Sequence, residues 1–101
     1  MPTVIYSMLE EEKQRNLEMQ EAHKREITAL RKGSIMIKTI SGKKYYYLKY
    51  RHGDKVKNDY IGTDEKAVET IRQEIAKRKY LQGVLKRLKI EFSQISKIVK
   101  G

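Results

Sequence analysis

Between Gly33 and Gly62 apolar and polar residues alternate in steps of two, and on either side of that block apolar residues recur in steps of three and four. The first period belongs to strands, whose successive side chains point to opposite faces of a sheet, and the second to helices. Three strands are predicted, Ser34 to Ile40, Lys43 to Arg51 and Lys55 to Ile61. Ser41-Gly42 is a two-residue hairpin turn, which places Ile37 opposite Tyr46, Ile35 opposite Leu48 and Lys38 opposite Tyr45. His52-Gly53-Asp54 reads as a three-residue loop, which sets Lys49 opposite Lys57 and Arg51 opposite Lys55. In that register one face carries Ile35, Ile37, Tyr46, Leu48, Tyr50, Val56 and Tyr60, with Asn58 as an awkward member. The other face interleaves Tyr45 and Tyr47 with Lys38, Lys49, Arg51, Lys55 and Lys57.

The flanking segments predict helices. Thr3 to Arg31 is rich in Glu, Gln, Lys and Arg and contains a capping-box pattern, Ser7 with Glu10. Its apolar stripe of Ile5, Leu9, Leu17, Ile27 and Leu30 is interrupted by Asn16, Gln20 and His23. A second helix over 64–99 starts after Gly62, with Thr63 as cap and Asp64 and Glu65 favoured by the helix dipole. Val68, Ile71 and Ile75 are predicted to cover the apolar face of the sheet. Leu81, Leu85, Leu88, Phe92, Ile95 and Val99 then recur at heptad spacing, a seam for another helix, with Gly83 a point where the helix could kink. The seam can be filled by the amino-terminal helix of the same chain, running antiparallel, or by a second copy. The whole is an α+β protein of one domain, 1–101: a three-stranded antiparallel meander packed on a helix, with long terminal helices forming an antiparallel coiled-coil-like arm.

Composition narrows the chemistry. The chain has 101 residues, net charge +10, and no Cys or Trp. Residues 1–32 hold six basic and six acidic side chains, whereas 33–63 and 64–101 each carry an excess of five positive charges. Within the last helix Lys77, Arg78, Lys79, Lys86, Arg87 and Lys89 lie in a stretch without any acid. A field of that sign and density suits nucleic acid. Without cysteine there is no disulfide framework and no thiolate metal site, and a reducing, cytoplasmic setting is expected. No apolar run approaches the roughly 18 residues of a membrane span, and no leader pattern opens the chain, so no membrane partner is expected. His23 and His52 lack the spacing of metal ligands, and the glycines mark element ends rather than a phosphate loop. No catalytic residue, metal or cofactor is therefore expected, and the protein is read as a non-enzyme.

The run Gly33-Ser34-Ile35, then Tyr45-Tyr46-Tyr47-Leu48, Tyr50-Arg51, Gly53 and Tyr60-Ile61-Gly62, followed directly by a helix, resembles the arm-site DNA-binding domain of phage and transposon tyrosine recombinases. The resemblance spans residues 33–80. It implies a three-stranded sheet packed on one helix and entering the DNA major groove, with Lys38, Tyr45, Tyr47, Lys49, Arg51, Lys55 and Lys57 on the DNA. The long amino-terminal helix is foreign to those domains, and their core-binding and catalytic domains have no counterpart here. The overall layout is similar to that of small uncharacterised proteins of bacterial mobile elements. The expected function is non-catalytic binding of nucleic acid, double-stranded DNA before RNA, with the basic helix on phosphates. The alternative is an interaction factor, an inhibitor or antitoxin-like protein of, for example, the anti-CRISPR type, that binds a nucleic-acid-handling enzyme. In a third reading the seam makes a homodimer and the charge serves solubility.

Overall fold

A computed structural model describes residues 3–99. The elements run α1 (Thr3–Ala29), β1 (Ser34–Ile40), β2 (Lys43–His52), β3 (Lys55–Gly62) and α2 (Glu65–Val99). The strands form one antiparallel sheet in the order β1-β2-β3, giving the expected α+β meander between two long helices. Residues 30–79 form one compact unit; the described residues before and after them, 3–29 and 80–99, form another.

In the first unit the core is small. Leu48 of β2 packs with Ile71 and Ile75 of α2, and Ile35, Tyr50 and Ile61 close around them. Burying each aliphatic side chain contributes about 1.5–3 kcal/mol. Helix α2 starts one residue later than the Thr63 cap expected from the sequence. Asp64 is the cap: its Oδ1 accepts from the Lys66 amide at 2.9 Å and its carbonyl accepts from the Val68 amide. A carboxylate satisfies the orphan amide and also complements the helix dipole, an advantage over a neutral hydroxyl. The segment entering β1 is tied to α2 by Arg78, whose Nη1 donates to the Leu30 carbonyl at 2.9 Å. Arg31 adds a second tie through its guanidinium, 2.6 Å from Glu74 Oε2.

The first hairpin has the expected register, Ile35 opposite Leu48, Ile37 opposite Tyr46 and Lys38 opposite Tyr45. Ser41 and Gly42 are both left-handed, φ 52° and 79°, the geometry of a type I′ turn. The second hairpin differs from expectation. Strand β2 continues to His52, which pairs with Lys55, so the loop is Gly53-Asp54 alone. Gly53 has φ 65° while Asp54 is not left-handed, as a type II′ turn requires. Lys49 now faces Asn58 and Arg51 faces Val56, instead of the like-charged pairs Lys49/Lys57 and Arg51/Lys55. The shorter loop relieves that repulsion and also removes Asn58 from the helix side. Between Tyr46 and Tyr47 the register shifts: Tyr47 faces Tyr60 and Tyr46 faces Gly62. Ile61 is the extra residue of this bulge, and it packs on the core.

In the second unit α1 pairs antiparallel with the later part of α2, since Asn16 meets Leu88 and Lys13 meets Phe92. The seam residues Leu81 and Leu88 are buried, and Leu85, Phe92, Ile95 and Val99 are half-buried. The α1 side differs from the apolar stripe read in the sequence. Ile5 and Leu17 are exposed, Ser7 and Glu10 lie inside the helix rather than at its cap, and the covered line is Tyr6, Leu9, Lys13, Asn16, Gln20, His23 and Ile27. Its steps of three and four make a true heptad pattern, and it takes in Asn16, Gln20 and His23, the residues that interrupted the stripe. Asn16 and Gln20 are only 5% and 6% exposed. Asn16 Nδ2 donates to the Leu88 carbonyl at 2.9 Å, and Gln20 Nε2 donates to Asn16 Oδ1 at 2.7 Å. The network supplies the partners that buried amides need. His23 is half-buried on this line, its Nδ1 3.5 Å from Glu26 Oε1. Helix α2 runs through Gly83 without a break.

Candidate nucleic-acid interface

Residues opposed across an antiparallel pair share a face, so the pairings define what the sheet turns away from α2. The central row is Met36, Tyr47 and Tyr60. One step along the strands lie Lys38 and Tyr45; one step the other way lie Lys49 and Asn58, followed by Arg51 and Val56. Ile40 and Lys43 close the end next to the first turn. The Tyr47 and Tyr60 rings are 5.2 Å apart and tilted by 53°, and Lys38 Nζ sits 4.8 Å from the centre of the Tyr47 ring. Tyr60 is 57% exposed and Met36 41%, so the row is open to a ligand. Among the described residues this face carries no acidic side chain.

Lys38, Tyr45, Tyr47, Lys49 and Arg51 stand where the sequence put them. Lys55 and Lys57 do not: they face His52 and Tyr50 on the helix side of the sheet. Val56 and Tyr60 make the reverse exchange, from the apolar face to the outward one. The cause is the single residue by which the second loop is shorter, because a one-residue slip moves every side chain of a strand to the other face. The signal was in the sequence, since Gly53-Asp54 is itself a two-residue hairpin pattern. Asp59 faces Leu48 rather than Tyr47. The Asp59 carboxylate, through hydrogen bonding first, together with burial and its charge, raises the Tyr50 phenol above its ordinary value of 10.0.

Lys77, Arg78 and Lys79 belong to the helix layer on the opposite side of the sheet. Arg78 is engaged with Leu30, and Lys79 lines an open groove with Gly33, Ile35 and Arg72. Lys86, Arg87 and Lys89 are exposed on the part of α2 that pairs with α1. Among the described residues no cluster of His, Asp or Glu could hold a metal ion, and no helix is long and apolar enough to cross a membrane.

A family model described as a domain of unknown function, DUF6788, matches residues 8–73. The chain belongs to that family. The DUF6788 match takes in most of α1, all three strands with their outward face, and the first turns of α2. No curated protein and no solved structure matches the chain.

Proposed function

We propose that this chain is a non-catalytic nucleic-acid-binding protein of a reducing, cytoplasmic setting, and that its contact surface is the outward face of the sheet. The observation that carries the reading is a sheet face that gathers cations and aromatic rings and, among the described residues, carries no acidic side chain. Lys38, Lys43, Lys49 and Arg51 share the outward face with three tyrosines, while Asp59 lies on the helix side and Asp54 in the turn. Cations supply affinity by releasing condensed counterions, and aromatic rings among them supply contact with bases or sugars. The resemblance of residues 33–80 to recombinase arm-site domains supports the same surface.

The test is a fluorescence-anisotropy titration with nucleic acid across a salt series, on the parent and on a folded Lys38→Ala/Lys49→Ala/Arg51→Ala variant. Saturable binding at about 150 mM salt, weakened at least about tenfold in the variant, is expected. Equal affinity in the variant would remove the sheet face from the proposal.

A second reading is favoured by the apolar members of the same face, since exposed Met36, Ile40 and Val56 also suit a protein partner. In that reading the face covers an acidic surface on a nucleic-acid-handling enzyme. It gains if no nucleic acid binds at physiological salt.

A further inference from the structure

Resting on the nucleic-acid reading, we infer that the outward face takes unpaired bases, as a stacking platform for single-stranded nucleic acid, rather than the groove of a duplex. The corrected second hairpin is what points there. It removes Lys55 and Lys57 from the face and brings Tyr60 beside Tyr47, so the centre of the sheet is the row Met36, Tyr47, Tyr60. Neighbouring strands lie about 4.8 Å apart, so this row is roughly 10 Å wide. Lys38 stands one step along the strands to one side and Lys49 one step to the other, each about 7 Å from the row.

A protein that reads a duplex groove meets base edges and needs hydrogen-bonding side chains at the centre of its contact, with Arg or Lys on guanine and Asn or Gln on adenine. Here that order is inverted. The centre presents a thioether and two phenol rings, and the amide and cationic groups, Asn58, Lys38, Lys49 and Arg51, form the rim. In a duplex the flat faces of the bases are already stacked on one another and have nothing to offer a ring. An unpaired base exposes its flat face, which every base possesses, and its two flanking phosphates fall toward cations on both sides. One ring of the row is also open to solvent. Tyr47 is half-buried between Met36, Tyr60 and the Lys38 ammonium, whereas Tyr60, at the β3 edge, is more than half exposed. This departs from the major-groove docking that the recombinase resemblance implies.

The experiment is anisotropy at about 150 mM salt with four labelled probes of one length: single-stranded DNA, single-stranded RNA, duplex DNA, and a single strand lacking bases. Each is titrated with the parent, Tyr60→Ala and Tyr60→Phe, after circular dichroism has established that the variants are folded. The expected result is tighter binding of base-bearing single strands than of the duplex or the abasic strand. Tyr60→Ala should weaken those strands about five- to a hundredfold, Tyr60→Phe should restore them, and neither should change the abasic strand. A preference for DNA or for RNA, in either direction, supports the inference, because stacking tolerates both. A duplex bound as tightly as the single strands, or a Tyr60→Ala effect equal on all probes or absent, overturns it while leaving the nucleic-acid reading standing. Failure to bind any probe overturns that reading as well.

Discussion

Gly33 leaves no room for a side chain. Its φ is 122°, and a Cβ built on it would lie 2.3 Å from the Lys49 carbonyl oxygen and 3.0 Å from the Tyr50 Cβ. Neither neighbour can yield without disturbing β2, the central strand. Gly33→Ala should therefore cost more than about 2 kcal/mol in urea unfolding, combining left-handed strain with a backbone clash. Gly83 is the opposite case. It sits in helical backbone, and a Cβ added there would meet nothing within 4 Å, so Gly83→Ala should stabilise by about 0.5–1 kcal/mol in the same assay. Tyr50 adds a pH dependence. Its phenol is raised in the folded state by the hydrogen bond to Asp59, burial and charge, so it holds its proton more tightly folded than unfolded. That stabilisation is complete below the unfolded value near 10.0 and is lost as pH climbs through the higher folded value. Stability measured against pH should fall in this alkaline window, and Tyr50→Phe should remove the part of the fall that belongs to this pair.

The two helices of the pair meet through a seam that is apolar on one side and partly polar on the other. Leu81, Leu85 and Leu88 are visible as a heptad in the sequence, whereas the facing line on α1 is hidden because Asn16 and Gln20 occupy core positions. Apolar periodicity finds only seams made of apolar residues. Asn16→Ala would leave buried Gln20 without its acceptor and should cost about 1–3 kcal/mol in a thermal melt. Replacing both by Leu should be neutral or stabilising, and should loosen the choice of register and partner, visible as self-association in sedimentation equilibrium. Unchanged mass in that double variant would show that the polar pair does not specify the pairing. The strand elements repeat the lesson from the other side: the pairing of β1 with β2 was legible residue by residue because Ser41-Gly42 is unambiguous, while β3 was displaced by one residue. Two costs of the longer loop, like charges in opposition and Asn58 among apolar residues, both vanish in the register the chain adopts.

Across the whole molecule the net charge of +10 is distributed over surfaces that do not act alike. Lys49 and Arg51 share the outward face of the sheet, Lys55 and Lys57 the face with Tyr50, and Arg78 is committed to the backbone at Leu30. Long-range attraction depends on all of them, but contact depends on those that reach the ligand. On the proposed reading, neutralising Lys55 and Lys57 together should weaken nucleic-acid binding far less than neutralising Lys49 and Arg51, although both changes remove two charges. The slope of log affinity against log salt separates them further, since only contacts with phosphate lower it, by about 0.7 each for a single strand. Equal effects of the two double variants would mean that overall charge, and not the sheet face, governs binding.

The element order, the first hairpin, the side of the sheet that α2 covers, and the positions of Leu81 to Val99 along one helical line were all legible in the residues alone. These follow from local period and turn chemistry, which act within a few residues of one another. The sequence also placed Lys38, Tyr45, Tyr47, Lys49 and Arg51 on one face, because they lie on strands joined by the turn it resolved. Packing across the fold settled which way β3 turns, that Tyr60 joins Tyr47, that Asn16 and Gln20 are core residues, and that Asp64 caps α2. Each of those depends on a comparison between competing partners across the chain: one loop length against another, a satisfied buried amide against an exposed leucine, a carboxylate against a hydroxyl. The balance is settled by packing and hydrogen-bond satisfaction that no local window contains.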